Sequence, residues 1–217
     1  MRSWMAILVV AGCAQGGKDF VTLSPDAGDD DDDVIDASRR PPIDAEPHVD
    51  APAGGCAFTG ALATWDLTGQ AGSQASTPVT SKATGVTATD LSRTAALTAT
   101  SGLNSINSSN WPTAAQLDAT KYYSFSVTPP ASCSLSITSL AIDAKSSGTG
   151  PVTAVAATSV DNFAGTTAVS TTAPSSPAVT ATNQTAAVEI RLYGFSAGGT
   201  AGTMRVENTL TINGTIQ

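Results

Sequence analysis

The chain has 217 residues, a net charge of -8 and a pI near 4.3. Eleven of its eighteen acids fall within residues 14–53, whereas 54–217 hold seven acids and six bases, so the acidity belongs to a connecting segment and identifies no substrate. No basic cluster is present to neutralise phosphates, which argues against nucleic acid as a partner. Low charge with abundant Thr, Ser, Ala and Gly departs from the roughly quarter-charged composition of a cytosolic enzyme and suits an extracellular β-rich module.

Arg2 followed by the apolar run Trp4–Ala11 is too short to span a bilayer, which needs about 20 residues, and has the form of a signal peptide over 1–12. The segment Val10-Ala11-Gly12-Cys13 resembles the bacterial lipobox. That resemblance implies a diacylglyceryl group on the Cys13 thiol, acylation of its amine after cleavage, and a membrane partner reached through the lipid. Buried acyl chains contribute about 0.8 kcal/mol per methylene, so three such chains anchor a protein durably. In the resembling lipoproteins an Asp after the cysteine retains the protein at the inner membrane; Ala14 stands here, which implies outer-membrane sorting. Two plainer readings of Cys13 stand beside this one, a small-residue cleavage site that releases a soluble protein, and the odd thiol of a secreted chain.

Residues 13–53 carry five consecutive aspartates (Asp29–Asp33), several prolines and almost no large apolar side chains, a composition that forms a disordered tether and no core. Forty such residues reach roughly 130 Å fully stretched and about 35 Å as a coil. A homopolymer of Asp lacks the spaced ligands and glycine turn of a Ca²⁺ loop, so a solvated linker is the better reading. The only histidine, His48, also lies here. Tethers of this kind look like those of myxobacterial lipoproteins.

From 54 onward the period becomes two. Residues 61–67 (ALATWDL) have strand character. In 121–127 (KYYSFSV) Tyr123, Phe125 and Val127 share one face, and Tyr122, Ser124 and Ser126 the other. Residues 134–143 alternate too, but Leu135/Ile137 and Leu140/Ile142 are out of phase, which predicts a bulge near Ser139. Val188, Ile190 and Leu192 share a face, as do Met204, Val206, Leu210, Ile212 and Ile216. With Gly/Ser/Pro breaks and no helical stripe, 54–217 is expected to be an all-β domain, an antiparallel β-sandwich.

The ordered motifs ATWDLTGQAGSQ, SGLNSINSSNWP, LDATKYYSFSVTP, SLAIDAKSSGTGP, RLYGF and MRVENTLTING resemble a family of secreted bacterial jelly-roll-like domains over about 61–216. The resemblance implies a jelly-roll-like sandwich at the cell surface, and no settled activity comes with it. In an oxidising compartment Cys56 and Cys133 are expected to pair, closing a loop of 77 residues; the alternative is two buried free thiols.

With no histidine after His48, Ser-His and Cys-His nucleophiles and His-containing metal sites are absent from this domain. A glycosidase-type carboxylate pair would have to come from Asp66, Asp90, Asp118, Asp143, Asp161, Glu189 and Glu207. Glu189/Arg191 and Arg205/Glu207 have a structural reading: a hairpin about Gly199 would place Arg191 opposite Glu207 and Tyr193 opposite Arg205. No catalytic residue or cofactor is assigned. Structural Ca²⁺ held by Asp66, Asp161 or Asn162 is a weaker expectation.

Binding is the favoured function. Tyr122, Tyr193 and Phe195 have the parity opposite to the buried residues of their strands, and Trp111 sits in a polar stretch with Asn107 and Asn110. Such rings suit stacking on sugar faces, with the amides bonding hydroxyls. Against this, Trp111 could plug one end of the sandwich and Phe195 could turn inward near Gly194. The expectation is a non-catalytic binding or adhesion module, for an extracellular glycan or another surface protein. The alternatives are a purely structural surface protein and a weak carbohydrate-active enzyme using two carboxylates.

Overall fold

The computed structural model describes residues 55–217. The expected signal peptide over 1–12, the expected lipidation at Cys13, the expected tether over 13–53 and His48 lie outside the described residues. In chain order the first strands are β1 (Phe58–Asp66), β2 (Ala71–Gly72), β3 (Ser76–Thr77), β4 (Ser81–Lys82) and β5 (Thr87–Ala88). Next come β6 (Leu91–Arg93), β7 (Thr98–Ala99), β8 (Ser105–Ser109), β9 (Tyr122–Thr128) and β10 (Leu135–Ser146). After β11 (Pro151–Thr158) a single 3₁₀ turn (Ser159–Asp161) leads to β12 (Thr167–Val169), β13 (Ala181–Gln184), β14 (Val188–Ala197) and β15 (Met204–Ile216).

These strands form a two-sheet, predominantly antiparallel β-sandwich, as the period of two predicts. The first sheet runs β13-β10-β15-β1-β4, and the second runs β12-β11-β14-β9-β6-β3 with β5 also on β9. Strand β15 is the spine of the first sheet. Along one edge it pairs with β10; along the other it pairs with β8 through Met204–Glu207 and with β1 through Thr209–Ile216.

The inner faces of β9, β10, β14 and β15 are the predicted ones, and β1 adds Leu62 and Trp65 through a register shift at Ala61/Ala63. Tyr123, Phe125, Val127, Val188, Ile190 and Leu192 from one sheet meet Leu62, Trp65, Leu135, Leu140, Val206 and Ile212 from the other, all buried. Trp65 packs on Phe125 across the sandwich with ring centroids 4.6 Å apart, while its Nε1 donates to the Thr89 carbonyl at 3.1 Å. The predicted phase change in β10 is also present. Its register on β15 slips between Ile137 and Ser139, so Thr138 turns out to solvent and Leu140 and Ile142 return to the face of Leu135 and Ile137. Close approach at Gly214 leaves no room for a side chain, since a Cβ there would lie 2.0 Å from the Ser136 carbonyl oxygen.

Cys56 and Cys133 are joined, with Cα atoms 5.5 Å apart, which ties the residues just before β1 to the turn leading into β10. A second tie is Arg93. From the end of β6 its guanidinium donates to the carbonyls of Asn107, Gly72 and Gln74 and to the Ser108 hydroxyl, linking the second sheet to β8 and β2 of the first. Burial lowers the Arg93 pKa, and the group is held by carbonyl dipoles in place of a carboxylate.

One expected pairing is corrected. Strands β14 and β15 lie in different sheets, so residues 198–203 carry the chain across the sandwich and form no hairpin about Gly199. Both strands have an apolar inner face, and facing each other across the core buries both at once. Arg191 therefore pairs with Glu189 on its own strand, and Glu207 with Arg205 and with Lys145 of β10.

Candidate functional site

The outer face of the second sheet gathers the predicted outward aromatics. Register places Tyr122 beside Tyr193, Ser124 beside Arg191 and Ser126 beside Glu189 between β9 and β14. It also sets Phe195 opposite Thr153 of β11, and Ser92 of β6 opposite Ser124. Tyr122 and Tyr193 have centroids 5.5 Å apart, and with Phe195, Phe163, Val155 and Ala157 they form a small cluster separate from the main core. Tyr193 is only 2% exposed, which corrects its expected role as a presented ring: it faces outward but its neighbours cover it. Phe195 stays on this outer cluster and does not turn into the core.

Arg191 lies over this cluster, its Cζ 4.3 Å from the Tyr122 ring centroid and 3.7 Å from that of Phe163. Its Nε donates to Glu189 Oε1 at 2.7 Å, and this bond raises the Arg191 pKa against the opposing effect of burial. Phe163 was not singled out from the sequence. It reaches the sheet because Asn162 and Phe163 both have positive φ, +58° and +63°, and no sequence signal marks a phenylalanine for that conformation. Asp161 closes the same turn by accepting the Gly165 N–H at 2.7 Å.

Beside the aromatic strip the same face opens into a groove of about 700 Å³. Six hydroxyls line it, from Ser76, Thr89, Ser92, Ser124, Ser126 and Ser159, together with the carboxylates of Asp90 and Glu189. Asp90 accepts from Ser76 at 3.2 Å, and Ser126 donates to Thr89 at 3.2 Å. The Ser159 hydroxyl oxygen accepts the Glu189 N–H at 3.0 Å. Small outward residues on β6 and β9, flanked by larger groups, leave this depression in the sheet surface.

Trp111, Asn107 and Asn110 do not belong to a surface platform, which corrects their expected role. Trp111 is fully buried, packs edge-on against Tyr123 at 5.4 Å, and donates from Nε1 to the Ser108 carbonyl at 2.8 Å. Asn107 lies in strand β8, buried, with its amide nitrogen on the Ser101 carbonyl at 2.7 Å. Asn110 adopts φ +66° and donates to the Ala96 carbonyl at 3.0 Å. The polar stretch is strand β8, and Trp111 after it is packed into the core, as the alternative reading of a plug expects.

The calcium candidates are likewise dispersed. Asp66, at the end of β1, accepts the Thr68 N–H at 2.9 Å, and its hydrogen bonds from Thr68 hold the carboxyl below its usual range. Asp161 and Asn162 form the turn described above on the other sheet. Among the described residues no group of three or more His, Cys, Asp and Glu side chains converges on a metal-sized position.

The first sheet carries its own charged cluster on its outer face. Asp143 of β10 stands opposite Glu207 of β15, and Lys145 opposite Arg205. Lys145 pairs with Glu207 and lies 3.7 Å from Asp143 Oδ2; Arg205 Nε donates to Glu207 Oε2 at 2.5 Å. Burial pushes the Glu207 carboxyl up, but the bonds from Lys145 and Arg205 outweigh it and hold the group below its usual range. A carboxyl depressed in the folded state contributes stability that is present above its unfolded pKa of about 4.3 and lost as pH falls through the folded value. The urea midpoint is therefore expected to drop between about pH 5 and about pH 3. Glu207→Gln is expected to lower stability at neutral pH and to flatten that acid limb. An acid limb as steep as in the parent would show that this pair does not carry it.

Comparison of the chain with known protein families, with curated proteins and with solved structures returned no match.

Proposed function

We propose that the chain is an outer-membrane lipoprotein, anchored through Cys13, whose sandwich acts outside the membrane as a non-catalytic module that binds neutral, hydroxyl-rich glycans. The observation that carries this reading is the groove on the second sheet. Hydroxyls both donate and accept, as sugar hydroxyls do, and carboxylates accept from them strongly. The adjoining Tyr122, Phe163 and Phe195 supply apolar surface for the C–H faces of a sugar. The Cys56–Cys133 bridge supports export, since such bonds persist in oxidising compartments.

A glycan array with the full chain tests this reading. The expected result is a signal on neutral glycans that falls about tenfold or more in the double variant Asp90→Ala/Ser126→Ala, through loss of hydrogen bonds to bound hydroxyls. No signal, or one indifferent to the pair, removes the glycan reading and favours contact with another surface protein. For the anchor, palmitate labelling is expected to disappear in Cys13→Ala, and labelling that persists overturns it.

The presence of Asp90 and Glu189 on one groove supports a second reading, hydrolysis of a glycan by two carboxylates. Glu189 would first have to release Arg191, which bonds both of its oxygens, at 2.7 and 3.4 Å. Turnover abolished by Asp90→Ala and by Glu189→Ala separately is the result that would establish the enzyme over the binding module.

A further inference from the structure

Register lays the polar groups of the second sheet's groove in two rows that cross the strands. Ser76 stands opposite Ser92, Ser92 opposite Ser124, and Ser124 opposite Arg191, so one row runs from β3 through β6 and β9 to β14. Direct partners of this kind point to the same face of a sheet. The second row lies two residues away on β9 and on β14. Thr89 gives its N–H to the Ser126 carbonyl at 3.0 Å, and its Oγ1 takes the Ser126 N–H at 2.9 Å. Ser126 stands opposite Glu189, whose N–H reaches the Ser159 hydroxyl at 3.0 Å. Neighbouring groups within a row are therefore about 4.8 Å apart along the sheet, and the two rows are separated by roughly 7 Å. Phe125 and Ile190, which lie between the rows on β9 and β14, point into the core, so the floor there is bare backbone. Ser76, Ser92, Ser124 and Ser126 are half-buried and Thr89 is exposed, which leaves both rows open to solvent.

We propose that this groove takes an extended, ribbon-like glycan of diequatorially linked pyranose rings, lying across the strands with its two edges on the two rows. The inference rests on the proposed function and names the shape of glycan that the same groove selects. Equatorial bonds at both ends of each ring carry such a chain straight on, and it advances by nearly one strand spacing per ring. Each ring therefore meets the polar groups of the next strand in turn. Its hydroxyls project from both edges in the plane of the ribbon, where serine and threonine hydroxyls can donate to them or accept from them. Its flat face rests on the bare floor between the rows. A chain with one axial linkage per ring coils instead, and lifts successive rings off a straight row. Glu189 and Arg191 meet the rows on β14 as an ion pair, so they add no net charge to the track. Tyr122, two residues before Ser124 on the same face, bounds the track on its aromatic side.

Titration of the full chain with neutral tetrasaccharides, followed by calorimetry and by amide chemical shifts, tests it. Cellotetraose, β-linked mannotetraose and chitotetraose are extended, whereas maltotetraose holds the glucose units of cellotetraose in a coiled chain. At least one extended sugar is expected to bind about tenfold or more tighter than maltotetraose, with amide shifts at Ser76, Ser92, Ser124 and Arg191. Ser92→Val and Ser124→Val set methyl groups on the track at outward strand positions that suit valine. Each is expected to weaken that binding about tenfold or more, with an amide spectrum that reports the native fold. Maltotetraose bound as tightly as every extended sugar overturns the ribbon and leaves glycan binding standing. Shifts that run along β9 to Thr128 and miss Ser76 place the chain along a strand and overturn it too, as does binding unchanged in both valine variants. No binding of any of these sugars overturns this inference alone if the glycan array gives a signal elsewhere, and removes the proposed function with it if the array is silent.

Discussion

Trp111→Ala is expected to destabilise the domain by about 3–5 kcal/mol, which lowers Tm by roughly 6–20 °C for a domain of this size. The indole is fully buried, packs edge-on to Tyr123 and donates to Ser108. Its removal leaves a cavity beside Tyr123 and takes away the indole hydrogen bond to the Ser108 carbonyl of β8. Tyr123 is affected next, because its hydroxyl donates to the Met204 carbonyl at 2.7 Å and thereby holds β9 to the start of β15. Burial of that hydroxyl pushes its pKa well up, so the bond persists at any ordinary pH. Thermal and urea denaturation check the prediction. Unchanged stability together with weakened glycan binding would return Trp111 to the surface.

Replacing both Cys56 and Cys133 with Ala is expected to cost about 4–5 kcal/mol, by the loop-entropy model for a closed loop of 77 residues. Alanine is the suitable replacement, because Cys133 is 5% exposed and a serine hydroxyl there would add a desolvation cost of its own. The bridge spans β1 through β9, so much of both sheets lies inside the loop it closes. The native fold is expected to survive, since the inner faces remain, with a lower denaturation midpoint that the parent chain reproduces under strong reductant. A double variant within about 1 kcal/mol of the parent would show that the unfolded chain gains little freedom when the bridge is lost.

The faces of β9, β10, β14 and β15 were legible, because a period of two needs only the chain's own order, whereas β11, with its small alternating residues, was not read as a strand. Tyr123/Phe125/Val127 and Val188/Ile190/Leu192 went inward as predicted, and even the phase slip near Ser139 could be located, since only a bulge reconciles Leu135/Ile137 with Leu140/Ile142. The pairing of Cys56 with Cys133 followed from there being two cysteines in the domain. Far less of the candidate site could be read. Tyr122 was placed correctly on the outer face of β9, but the groove beside it is assembled from β3, β6, β9, β14 and the 3₁₀ turn. No local pattern announces which serines of a serine-rich chain will share a surface.

Fold class, the inner faces of β9, β14 and β15, the β10 bulge and the expected Cys56–Cys133 pair could be read from order alone, because each depends on alternation along the chain or on two cysteines within one domain. Packing of the whole domain chose which strands are neighbours. It set β14 and β15 in opposite sheets, which replaced the expected Arg191–Glu207 pair with two separate ion-pair clusters. It sent Trp111 into the core although its flanking residues are polar, and it brought Phe163 onto the Tyr122–Arg191 strip through two consecutive left-handed residues. The physical reason is common to all three. Cross-strand neighbours are chosen by burying apolar faces against each other across the whole domain, and that choice is a property of the packed sandwich, which no stretch of ten residues contains.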